Sequence, residues 1–130
     1  MRLALLGVAA VAAAWFAFGV RQARDTSRAT AIVSASARPT PAQARHASEL
    51  LDSAGFLNPD REIDLLRARL DLARGNAAAA RAILKRVVSS EPDFLDAWIW
   101  LARSSIGDLK DFYAAAYRIR QLVPPVKAAR

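Results

Sequence analysis

The sequence predicts an all-α protein, an N-terminal transmembrane helix followed by a short array of antiparallel helical hairpins. Three observations predict it. Apolar residues recur at helical spacing in consecutive short stretches, and no stretch alternates as a strand would. Each stretch is opened by a capping residue and closed by glycine or proline. At the N-terminus, Arg2 is followed by eighteen residues without a charge, Leu3–Val20.

As a helix, Leu3–Val20 would be about 27 Å long, close to the roughly 30 Å hydrocarbon core of a bilayer. Trp15, Phe16 and Phe18 lie toward one end, where an interfacial aromatic belt sits, and Arg21 stops the run. Residues 1–20 are therefore expected to be a retained single-pass anchor. The competing reading is a cleaved signal peptide, with Ala17 and Gly19 near the cut. Its apolar core would be unusually long, and bulky residues crowd that cut. Residues 21–40 read as a linker: helical for a few turns, then a tether by Ser34–Arg38, with Pro39 and Pro41 barring a normal helix there.

Residues 41–130 form the helical domain. Thr40-Pro41-Ala42-Gln43 has the form of a capping box with proline at the first helical position. Ala47, Leu50, Leu51 and Ala54 make one stripe, and Gly55 ends it. Asn58-Pro59-Asp60 opens a helix carrying Ile63, Leu66, Leu70 and Ala73, which Gly75 ends. Asn76 caps Ala77–Ser89. Asp93 is expected to cap the helix of Trp98, and Asp108 the last one, which runs to Val123.

The punctuation repeats. Prolines at 59, 92 and 124 lie 33 and 32 residues apart, and Gly75 and Gly107 lie 32 apart, followed by Asn76 and Asp108. Twelve residues before each proline stand Ala47, Ala80 and Phe112, the last a departure from a small residue. Trp98, Leu101 and Ala102 complete a pattern that resembles the tetratricopeptide (TPR) repeat, a hairpin of about 34 residues. The second unit has Asp64, Arg67 and Ala68 at those places, a poor match, and the third is about two residues short between Trp98 and Gly107. With its N-terminal anchor, the chain also resembles small membrane-anchored TPR proteins of bacterial cell envelopes. The resemblance implies binding of a protein or peptide and no catalysis.

It also implies where a partner would sit. The first helix of each TPR hairpin lines the concave face, and the groove positions are then Leu65, Arg69, Ile99 and Arg103, with Trp100 beside them. Trp98 is expected in the core and Trp100, about 200° around the helix from it, outside that core. The outer side of Phe112, Tyr113, Ala116 and Tyr117 is expected to be open to a partner or a second copy, leaving a homo-oligomer or a larger complex as further assemblies.

Composition excludes several chemistries. There is no cysteine, which removes disulfides, Cys–zinc sites and thiol catalysis. His46 is the single histidine, with Glu49 and Asp52 its nearest acids, too few to hold a metal. No phosphate loop or nucleophile elbow is present. The chain is thus expected to have no catalytic residue, cofactor or metal. The net charge is +7, but Arg and Lys are scattered with acids between them, so no specific nucleic acid is expected. Arg21, Arg24 and Arg28, just past the apolar run, suit anionic lipid better. Sixteen arginines against three lysines read as GC-rich bacterial coding bias. The expectation is a cell-membrane protein whose C-terminal domain lies on the extracytoplasmic side, with an accessory or assembly role. The alternative is a structural subunit of a larger membrane complex.

Overall fold

The computed structural model describes the backbone of residues 2–35, 38–56 and 60–123, and side chains from residue 13 onward except those of 18 and 35. Among the described residues six helices follow one another as sequential antiparallel pairs: α1 (Arg2–Ala35), α2 (Pro41–Gly55), α3 (Arg61–Ala73), α4 (Ala77–Ser90), α5 (Leu95–Ser104) and α6 (Leu109–Leu122). No strand occurs among the described residues. The chain makes three hairpins, α1–α2, α3–α4 and α5–α6, with α3 central and touching α1, α2, α4 and α5.

Most caps are those the side-chain chemistry calls for. The Gln43 amide N–H donates to Thr40 Oγ1 at 3.3 Å and the Thr40 N–H to Gln43 Oε1 at 2.9 Å, a reciprocal capping box. Asp60 accepts from the Glu62 N–H at 3.0 Å, and Asp108 from the Asp111 N–H at 3.3 Å. The α3–α4 turn is built on Gly75, whose φ of 82° suits a residue without Cβ. The Asn76 N–H reaches back to Asp71 O at 2.8 Å and the Gly75 N–H to Leu72 O at 2.9 Å. That is a Schellman closure, and Asn76 then caps α4 by accepting from the Ala79 N–H at 3.3 Å. Gly107 shares the spacing but not the conformation: Gly75 alone has positive φ among the described residues. The α5–α6 turn is closed instead by the Asp108 N–H on Ser105 O at 2.8 Å.

Two apolar clusters fill the stack. Ala29, Val33, Ala44, Ala47, Leu51 and Ala54 pack with Ile63, Leu66 and Leu70 of α3. Leu65 and Ala68 face the other way, into a cluster with Ala80, Leu84, Val87, Ala97, Leu101 and Ala115. α3 therefore buries two faces, which is why its apolar pattern is denser than a single stripe.

Four expectations change. The linker over 21–40 is largely helix: α1 continues to Ala35, and Ala29 (fully buried) and Val33 seal the first hairpin against α2. The second half of α1 is the leading helix of the first hairpin. Asp93 does not cap α5. Phe94 holds the cap position without a side-chain hydrogen bond, and Asp93 pairs with Arg118 at 2.8 Å. Trp98 is half-buried rather than central. The fully packed residue on α5 is Ala97, and the Trp98 indole instead donates from Nε1 to Pro92 O at 2.7 Å, pinning the α4–α5 loop. Trp100, expected away from that core, packs on the edge of the same cluster.

Among the described residues, no helix is long and apolar enough to cross a membrane. Most of Leu3–Val20, the expected anchor, has side chains outside the described set, as do Asn58, Pro59 and Pro124.

Candidate partner-binding face

α3 and α5 are each the leading helix of a hairpin and run in the same direction, so their N-terminal ends lie together and so do their C-terminal ends. On α3, Glu62, Leu65 and Arg69 recur at helical spacing on one side. On α5, Asp96, Ile99 with Trp100, and Arg103 do the same. The two rows therefore share a gradient from acidic to basic along one face.

At the acidic end is a cleft of about 350 Å³ lined by Asp60, Arg61, Glu62, Leu65, Glu91, Phe94 and Asp96. Asp60, Glu62 and Asp96 belong to helix N-terminal turns, where the helix dipole favours a carboxylate. Arg61 closes one wall, pairing with Glu91 at 3.3 Å and contacting Ser90 Oγ. Leu65, expected to face the groove, is buried in the second apolar cluster and gives the cleft an apolar lining.

At the basic end, Trp100 organises two cations. The Arg69 guanidinium carbon stands 4.8 Å from the ring centroid and that of Arg103 5.0 Å. Each contact is worth about 0.5–2 kcal/mol, depending on how dry it is. Neither arginine meets a carboxylate among the described residues, although Arg61, Arg67, Arg81 and Arg118 all do. Arg69 Nε is covered and finds no acceptor there. The indole thus fixes two positive charges in place without neutralising them. Beside them Ile99 is exposed, at 43%.

The structure brings Arg69, Trp100 and Arg103 together, leaves Ile99 as the exposed apolar contact, and turns Leu65 inward. The sequence reading missed the acidic cleft. Its residues come from the starts of two helices and from Glu91 and Phe94 in the loop between α4 and α5, a combination that no local spacing signals. His46 lies on the surface with its Nδ1 3.9 Å from Glu49. Among the described residues no cluster of His, Asp or Glu could hold a metal.

No family model, curated protein or solved structure matches this chain. The residues of the α3–α5 face therefore carry the functional reading by themselves.

Proposed function

We propose that the chain is a non-enzymatic, membrane-anchored, TPR-like adaptor that binds a segment of a protein or peptide along the α3–α5 face. In this reading Leu3–Val20 is the anchor, the site is the extracytoplasmic side of a bacterial cell membrane, and the role is accessory or assembly. The observation that carries it is the pair of guanidiniums held on Trp100 with no acidic partner among the described residues. Paired cations of this kind suit an acidic side chain of the ligand, since a charge-assisted bond from arginine is among the stronger polar contacts. Ile99 supplies apolar contact next to them, and the cleft at Asp60, Glu62 and Asp96 suits a basic group further along the same segment.

The test is co-purification of the intact chain from membranes, beside Arg69→Ala/Arg103→Ala. The reading expects a chain that accompanies the wild type and is lost from the double variant, while helicity and melting stay the same. Retention of that chain by both forms would remove the α3–α5 face from the account.

One observation favours the alternative of a structural subunit: Leu109, Tyr113 and Tyr117 of α6 are each about two-thirds exposed, more apolar surface than a free adaptor needs. A subunit would aggregate when freed of its complex, whereas an adaptor would stay folded and monodisperse.

A further inference from the structure

The outward side of α6 and its C-cap carry Leu109, Phe112, Tyr113, Tyr117 and Val123, with exposures from 36% to 67%. Their spacing puts them on one continuous arc with Ala116. Phe112 and Tyr113 meet edge to face with centroids 5.7 Å apart. Lys110 and Arg120 flank or interrupt the arc, both exposed and neither paired with a carboxylate among the described residues. The acids of this region are directed elsewhere. Asp111 holds Lys85 at 2.5 Å, and Asp108 caps the helix while pairing with Arg81 at 3.7 Å. The exposed residues of α6 thus combine aromatic rings and cations with no negative charge.

Three occupants could cover such a face. A further helical hairpin, from this or another chain, needs a small residue at the close approach. In α2 and α4 the corresponding places are Ala47 and Ala80, both fully buried, while α6 has Phe112 there. At α6 or α1, the two ends of the stack, a second copy meets the wrong charge. Pairing two α6 faces would gather Lys110 and Arg120 of both copies with no acid. Docking α6 on a second copy's α1 would set them against the exposed Arg21, Arg24 and Arg28. An anionic lipid surface has neither difficulty. Its headgroup layer takes protruding rings at varied depth, tyrosines settle with the hydroxyl toward the phosphates, and each cation gains from the surface potential.

We propose that the α6 face docks onto an anionic lipid bilayer, with Tyr113, Tyr117 and Phe112 entering the headgroup layer and Lys110 and Arg120 meeting phosphates. The docked stack lies against the membrane instead of standing off it. The inference does not depend on the α3–α5 reading, nor on whether Leu3–Val20 is inserted.

The chain has no cysteine, so one introduced thiol labels one place. Full-length Tyr113→Cys, carrying an environment-sensitive dye, is compared with Ser89→Cys on the exposed side of α4. Both are placed with vesicles of phosphatidylcholine alone and of phosphatidylcholine mixed with phosphatidylglycerol. The dye at 113 is expected to shift to the blue and become accessible to lipid-borne quenchers only on the anionic vesicles, and to revert in high salt. The dye at 89 should not change. Adding Lys110→Gln/Arg120→Gln should weaken the docking equilibrium roughly 30-fold, the weight of two cations at an anionic surface, with circular dichroism unaltered. A dye at 113 that stays in water on anionic vesicles would overturn the proposal. So would a blue shift that grows with protein concentration in the absence of lipid, which would give the face to a second copy.

Discussion

The first and last hairpins both end the stack, and they end it differently. In α1–α2 the facing residues are small: Ala29, Ala44, Ala47 and Ala54 are at most 3% exposed, and Val33 and Leu51 fill between them. Where the second half of α1 meets α2 the helices approach closely and bury these side chains, while Trp15 and Phe16 further up α1 and Phe56 at the end of α2 stay exposed. In α5–α6 only Ala115 of α6 is buried, and the large side chains of that helix point out. One end is sealed by a helix continuous with the N-terminal apolar run; the other is left open. Small residues make a closed end because dispersion contacts reward close approach. Bulky rings at the equivalent place leave an end that only a deformable or purpose-shaped partner can cover.

Matched substitutions break this comparison most sharply. Ala29→Asp places a charge in the first apolar cluster and should cost roughly 3–5 kcal/mol. That is enough to remove a cooperative melt from a domain of ordinary stability. Ala114→Asp, the same change on the exposed side of α6, should move the melting temperature hardly at all. Equal losses would erase the distinction between the ends.

Leu84→Ala comes next. Leu84 is fully buried in the cluster that joins α3, α4, α5 and α6, so urea unfolding should show a loss of about 2–5 kcal/mol. The two tryptophans of α5 separate by less. Both are half-buried, but only Trp98 makes a hydrogen bond, to Pro92 O. Trp100 instead carries the two cation–π contacts, so Trp98→Ala and Trp100→Ala should cost the same to within about 1 kcal/mol in chemical denaturation. The smallest effect belongs to the open end: Tyr113→Ser/Tyr117→Ser should change stability by no more than about 0.5 kcal/mol per site while reducing surface association.

How much of this was legible depends on how local the cause is. Thr40, Asn76 and Asp108 act within one helical turn, and each caps the helix it was expected to cap; at the opening expected over Asn58-Pro59-Asp60, the cap is Asp60. Gly75 was legible for the same reason. Asp93 failed because a nonlocal partner, Arg118, competes for its carboxylate. A few helical turns beyond Val20 and a tether from Ser34 were expected, and α1 ends at Ala35; what was not legible is that those turns pack on α2. Their apolar contacts, Ala29 and Val33, are too sparse to form a stripe. For the candidate face, helical spacing placed Arg69, Ile99 and Arg103 on one side. It could not reveal that Trp100 would turn back to meet both arginines, since that depends on the approach of α5 to α3. Leu65 was misjudged because α3 buries two faces and a single-stripe reading allows one.

The measurement that tests the three-hairpin account most directly is thermal unfolding of residues 21–130 beside residues 41–130, with sedimentation of both. The shorter chain lacks Ala29 and Val33 and leaves Ala44, Ala47 and Leu51 without their cover. The account predicts a single cooperative transition and a monomer for 21–130, and a broad or absent transition with self-association for 41–130. A 41–130 chain that melts as sharply and at the same temperature as 21–130, and sediments as a monomer, would contradict it.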